Sequence, residues 1–151
     1  MDIDRWLLLF HILAAGTWLG GGLMLVLLAI RARQVGKEPE LIGQMEWVGS
    51  RIGGPAVIVT LTTGIWMVLR SNAWQLSQGW VLGGLIILAF LFLVGIGFHV
   101  PQYKRIHKAR AEHGNDSPTV QRLINRSFAA AQIEVVLIAI AIFLMVFKPG
   151  I

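Results

Sequence analysis

The sequence predicts an all-α, polytopic integral membrane protein: a four-transmembrane-helix up-down bundle with both termini outside. Three observations predict it. Of the 151 residues, 56% are hydrophobic and only 14% charged, about half the ~25% charge content of soluble domains. The apolar residues gather into four blocks, at about 6–30, 55–70, 80–103 and 128–147, each read as a span of a hydrocarbon layer ~30 Å thick. Basic residues are shared unevenly between the connections. Connections 31–54 and 104–127 hold Arg31, Arg33, Lys37, Arg51, Lys104, Arg105, Lys108, Arg110, Arg122 and Arg126, against Arg5, Arg70 and Lys148 on the opposite side. The rich side is expected in the cytoplasm, which describes a multi-pass protein of a bacterial inner membrane.

A single transmembrane domain covers residues 1–151, without internal repeat or low-complexity tract. The net charge of +5 follows from topology and lipid headgroups, so no nucleic-acid partner is expected. The expected partner is the lipid bilayer, with a homo-oligomer or a larger membrane complex as the forms of assembly. The absence of cysteine excludes disulfides, thiolate metal sites and cysteine nucleophiles.

The first span, 6–30, is anchored by Arg5 and Trp6 at one end and by Arg31 and Arg33 at the other. Asp2 and Asp4 precede it and no small-residue cleavage site follows, so it is expected to be retained rather than removed as a signal peptide. Within the first connection, Glu38-Pro39-Glu40 resembles a helix start. Leu41, Met45 and Val48 then recur at helical spacing, predicting a short helix at the membrane surface. The second span, 55–70, is short, so a start farther back near Val48 or a tilt is expected, and its middle is small and mildly polar at Thr60, Thr62, Thr63 and Gly64. Such residues serve close helix packing or the polar wall of a buried cofactor.

Trp74 and Trp80 bracket a polar turn in the manner of an interfacial aromatic belt. The third span, 80–103, is expected to continue as a helix to His113, with Gly114 as its C-terminal cap. Pro101 removes a hydrogen bond and frees the Gly97 carbonyl, predicting a kink beside His99. Asn115-Asp116-Ser117-Pro118 stops one helix and starts the next, with Asp116 or Ser117 as cap. The last helix runs through the fourth span, 128–147, and stops at Lys148-Pro149-Gly150.

Two ionisable features fall within the spans. His11 interrupts the first apolar run, about 9 Å along the axis from Arg5 at 1.5 Å per residue. Ala15, Trp18 and Gly22 follow on its face. An ionisable group at membrane depth marks a candidate site, and small neighbours leave room for something flat, such as haem. A histidine hydrogen-bonded to a neighbouring helix is the alternative. His99 and Glu134 fall at similar depth near the basic ends of spans three and four. A lone buried carboxylate is costly, so Glu134 is expected to form a buried polar pair with His99, or else to pair with Arg51. Its role is then either a structural clasp or a proton relay. His11 and His99 are separated by roughly 20 Å along the axis at 1.5 Å per residue, so one haem iron cannot use both. Met67 lies near the level of His11 and is one candidate second ligand; a water, an open position or a ligand from a second subunit are the alternatives. Beyond a haem iron at His11 no metal site is expected: His107 and His113 are six apart, and the methionines are scattered. No phosphate loop, nucleotide fingerprint or nucleophile elbow is present.

His11, Trp18 and Gly21, followed by Thr63-Gly64-Ile65-Trp66, Gly79-Trp80, His99, Glu134 and Val146-Phe147-Lys148-Pro149, resemble a group of membrane proteins. The group contains the HemJ-type protoporphyrinogen oxidases, the copper-resistance-protein-D membrane domain, and small bacterial membrane proteins of unknown function. The resemblance covers nearly the whole chain and is closest to the unknown-function family, whose third helix also runs from Gly-Trp to a proline followed by basic residues. It implies a four-helix bundle that binds haem b, with His11 as the matching axial ligand. The HemJ-type family carries a lysine four residues after the third-helix tryptophan. That position is Gly84 here, so protoporphyrinogen oxidation is not assigned. The expected function is a small inner-membrane protein binding haem b through His11, lined by Met67 and Trp18, with a redox-related role. The alternative is a non-catalytic accessory or scaffold subunit of a membrane complex. A copper or ion transporter would need a polar or Met-lined path, which the mid-membrane residues do not supply.

Overall fold

A computed structural model describes residues 2–36 and 38–149. Lys37 and Gly150, used above to judge topology and the last helix stop, lie outside the described residues. Four long helices make up the fold: α1 (Ile3–Val35), α2 (38–70), α3 (Gly79–His113) and α4 (Pro118–Phe147). Each contains a stretch long and apolar enough to cross a membrane. At 1.5 Å per residue they are about 45–52 Å long, so each overshoots ~30 Å of hydrocarbon.

Local chemistry sets the helix ends. Gly36 ends α1 in the left-handed region at φ 67°, which only glycine enters without steric cost. Gly114 ends α3, and its N–H donates to the Arg110 carbonyl. Of the two caps considered for α4, Ser117 serves: its Oγ accepts from the Val120 N–H at 3.3 Å, with Pro118 in the first turn.

Helices α2 and α3 share a departure from α geometry. Each contains a π turn, Gly49–Gly53 in α2 and Gly95–His99 in α3. Each turn ends two residues before a proline, Pro55 and Pro101. A proline lacks the N–H and crowds the carbonyl four residues back, and one extra residue per turn relieves both. The irregularity expected beside His99 therefore takes the form of a π turn, in which the Val100 N–H donates to the Gly95 carbonyl. The same device corrects the reading of 38–48. That segment is no separate surface helix: it passes through the π turn into the remainder of α2.

The helices alternate in direction, as their contacts show. Asp4 pairs with Arg70, and His11 meets Thr60 and Thr63, between α1 and α2. His99 meets Glu134 and Gln102 meets Leu123 between α3 and α4. Arg33 meets Asn125 between α4 and α1. Helix α1 packs along α2 and α4, and α4 along α3, whereas α2 and α3 touch little. The chain enters and leaves the bundle at one end, the His11 end; the opposite end carries the basic connections.

Packing differs between the two ends. The hydrophobic core lies at the basic end, where Ile42, Ile106, Val120 and Ile124 are fully buried with Leu41, Met45, Tyr103 and Phe128 around them. Fully buried Gln102 donates to the Leu123 carbonyl at 3.0 Å. Outside hydrocarbon the hydrophobic effect draws apolar faces together; within it, lipid tails compete for the same surfaces. The His11 end is looser and holds a cavity.

Candidate functional site

His11 is buried, 8% exposed, on the face of α1 that packs against α2. Its Nδ1–H donates to the Thr60 carbonyl at 3.0 Å and approaches the Thr63 hydroxyl at 3.1 Å. A carbonyl can only accept, so Nδ1 carries the proton. Thr63 uses its own hydroxyl proton toward the Val59 carbonyl at 2.6 Å, which leaves its oxygen as the second acceptor. In the neutral ring this sets the tautomer, with the lone pair on Nε2, and no described residue donates to it. Gly64 makes this approach feasible. A Cβ there would lie 3.0 Å from His11 Cε1 and 3.4 Å from Nδ1. The Thr63-Gly64 pair thus supplies an acceptor and the space for an imidazole.

The ring borders a cavity of about 470 Å³ at the His11 end of the bundle. All four helices contribute, with Ala15 and Gly16 from α1, Thr60 and Met67 from α2, Leu85 and Leu88 from α3, and Met145 from α4. The thin α2–α3 contact leaves the space open. Trp74 and Leu76 of the connection, together with Trp80 and Lys148, line its end. Lys148 Nζ sits over the Trp74 ring at 4.1 Å and the Trp80 ring at 5.5 Å, and the two rings meet edge to face at 5.8 Å. The α4 terminus makes this possible, since Lys148 adopts the left-handed conformation at φ 43°. The walls are almost wholly apolar: apart from the indole N–H groups of Trp74 and Trp80, the lining side chains with nitrogen or oxygen groups are His11, Thr60 and Lys148.

A second polar pair lies toward the basic end. His99 Nε2–H donates to Glu134 Oε1 at 2.7 Å, with the two side chains 13% and 23% exposed. The imidazole stacks on Tyr103 at 5.8 Å and meets Phe98 edge-on. Its Nδ1 is buried without a partner among the described residues.

The structure therefore places His11 of α1 and Met67 of α2 around one cavity and joins His99 to Glu134. Trp18, two turns farther along α1, is not among the cavity-lining residues. Arg51 is exposed and does not pair with Glu134. His107 donates to Glu46 across α3 and α2 at 2.7 Å on the exposed surface. Among the described residues, no group of three or more His, Cys, Asp or Glu could hold a metal ion. Three wall elements escaped the sequence reading: Met145, the Trp74–Trp80–Lys148 cluster, and Thr60 acting through its carbonyl. Tryptophans at a span boundary and a lysine at a helix end are usual interfacial features, so nothing in their pattern marks them as one cluster.

Residues 5–149 match the family described as predicted integral membrane protein (DUF2269). The match spans nearly all of the chain, which belongs to that family. No match was found among curated proteins or among solved structures.

Proposed function

We propose that this DUF2269 integral membrane protein binds haem b through His11 and serves a redox-related role, in a bacterial inner membrane with its basic connections in the cytoplasm. The observation that carries the reading is the state of His11. Its Nδ1–H is tied to a carbonyl and a hydroxyl, which in the neutral ring leaves the lone pair on Nε2, and the residue lines the cavity. A ligating histidine is characteristically oriented in this way by an acceptor on its other nitrogen. The donor set fits haem b: one imidazole nitrogen, the thioethers of Met67 and Met145, and otherwise apolar walls. The volume lies within the roughly 300–1,000 Å³ of cofactor and ligand pockets. Bound there, haem b supplies one-electron redox chemistry. The chain's own residues hold and insulate it. Thr60 and Thr63 orient His11 and Gly64 makes room for its imidazole, and with His11, Met67 would be the second residue to hold the group. The resemblance to the HemJ-type group supports the same ligand, while Gly84 in place of that family's lysine leaves protoporphyrinogen oxidation unassigned.

The test is the absorption spectrum of protein purified from haem-sufficient cells, oxidised and dithionite-reduced. A Soret band with sharp reduced-state bands is expected, lost in His11→Ala. Thr63→Val should weaken haem affinity about 10–100-fold, the usual effect of removing a group that orients a ligand. A flat spectrum with no uptake of added haem would overturn the reading.

The second reading, a non-catalytic accessory or scaffold subunit, draws support from a different observation. Gly16 and Gly20 lie four apart on α1, and a Cβ at either would meet nothing within 4 Å. Such spacing lets two helices approach closely, and no described helix fills the space at either glycine, although Gly16 also borders the His11 cavity. Co-purification of a stoichiometric partner from native membranes, lost in Gly20→Leu, would favour this reading; a protein that runs alone in mild detergent would remove it.

A further inference from the structure

A second recess of about 500 Å³ runs between α1 and α4 toward the basic end, away from the His11 cavity. Two antiparallel stripes form it. Ala29, Ile30 and Arg33 lie three, four and seven residues after Val26 on α1, and Phe128, Ala129 and Gln132 lie three, four and seven after Asn125 on α4. Arg33 is set against Asn125 at the outer limit; the remainder is lined by small or branched apolar side chains together with Phe128 and Gln132. Helices closing on each other here would fill the space, yet the recess persists at the level where the bundle leaves its tight core.

Two features give it chemistry. The Arg33 guanidinium is held in place: Nη2 donates to Asn125 Oδ1, and its carbon lies 5.9 Å from the Phe128 ring centre. No carboxylate among the described residues forms an ion pair with it. Its remaining N–H donors suit a phosphate, which a guanidinium binds in a bidentate manner. The second feature is Gln132. It is exposed on α4, inside the fourth apolar block, and its carboxamide has no hydrogen-bond partner among the described residues. An unpaired amide facing hydrocarbon is costly, so a polar group of the surroundings is expected against it. Asn125 and Gln132 are seven residues apart, about 10 Å along the axis. The polar layer on each side of a bilayer is about 5–8 Å deep, so the two positions span the depth from headgroup to first acyl carbons.

We propose that this recess binds one anionic phospholipid, independently of any haem at His11. Arg33 and Asn125 take the phosphate, Gln132 donates to an acyl ester carbonyl, and a chain lies over Val26, Ile30 and Ala129. The surrounding end favours an anion: connections 31–54 and 104–127 carry ten Lys and Arg against five Asp and Glu, and basic pockets between spans at such a face recognise acidic headgroups.

Native mass spectrometry of the detergent-solubilised protein, titrated with palmitoyl-oleoyl phosphatidylglycerol or the matching phosphatidylcholine, tests this. One phosphatidylglycerol should be retained at least about tenfold more tightly than phosphatidylcholine, the scale of one charge-assisted pair. Arg33→Gln should remove that preference while Arg122→Gln, outside the recess, leaves it. Ala129→Trp should fill the recess and release both lipids, which keeps the test available if Arg33→Gln fails to fold. Equal retention of the two lipids, or an unchanged preference in Arg33→Gln, would overturn the proposal. So would displacement of the lipid by millimolar inorganic phosphate alone, which would mark a free-anion site. A lipid-free dimer, sealed along α1 and α4, would overturn it as well.

Discussion

At the scale of single residues, His11 and the His99–Glu134 pair are each held by specific partners on a neighbouring helix. Gly64 and His11 are the closest instance. Gly64→Ala places a methyl 3.0 Å from His11 Cε1, and the imidazole cannot retreat without lengthening its bonds to Thr60 and Thr63. A loss of about 1–3 kcal/mol is expected from such overpacking, read as a lower melting temperature in detergent. An unchanged melt would show that the ring yields freely and is not held. The His99–Glu134 pair makes a coupled prediction. Removing either partner strands the other in a setting with little water, at a cost of about 1–3 kcal/mol. His99→Leu combined with Glu134→Leu should cost clearly less than the sum of the two single changes, with a coupling of about 0.5–3 kcal/mol. Strict additivity in the four melts would mean that the 2.7 Å contact contributes no stability of its own. Equal depth for these two residues follows from counting along the chain. Mutual bonding, with Arg51 left outside, depends on how α3 and α4 are rotated.

At the scale of elements, helix ends were the most legible feature and helix interiors the least. The Ser117-Pro118 start and the Gly114 stop depend on chemistry within a few residues, so local sequence suffices to find them. Ser117→Ala should cost about 1 kcal/mol, the usual worth of an N-cap oxygen, through loss of its bond to the Val120 N–H. A melting temperature equal to the parent's would show that water replaces the cap. The π turn at Gly95–His99 is legible only as a proline irregularity, and the one at Gly49–Gly53 is not legible at all, since Pro55 reads as the opening of the second span. A proline states that a bond is missing, and a kink, a break or a widened turn all satisfy that condition. In α2 the widened turn also carries the chain through the boundary once read as two elements, and so delivers Leu41, Ile42 and Met45 to the core.

At the scale of the whole molecule, stability and the candidate site occupy opposite ends. Ile106→Ala, in the tight core at the basic end, should cost about 2–5 kcal/mol, as buried truncations do. Leu93→Ala, at a side chain 66% exposed, should stay within about 0.5 kcal/mol. Comparable losses at both positions, measured by thermal melting in one detergent, would contradict this division. The sequence by itself determined the helical class, the number of long apolar helices and their alternating order, because each depends on composition and on the length needed to cross hydrocarbon. It also singled out His11, since an ionisable group within an apolar run is conspicuous wherever the run is placed. Only the tertiary structure decided which faces meet. That is why Met145, Lys148 and the paired tryptophans join His11 around one cavity, and why Trp18 does not. The physical reason is that a helix apolar all round, as the α3 span is, has no face that hydropathy can distinguish. Each π turn then adds a residue and turns everything beyond it by about 100° relative to an uninterrupted helix. Rotation about the helix axis is set by packing against neighbours, and that information is held in no single stretch of the chain.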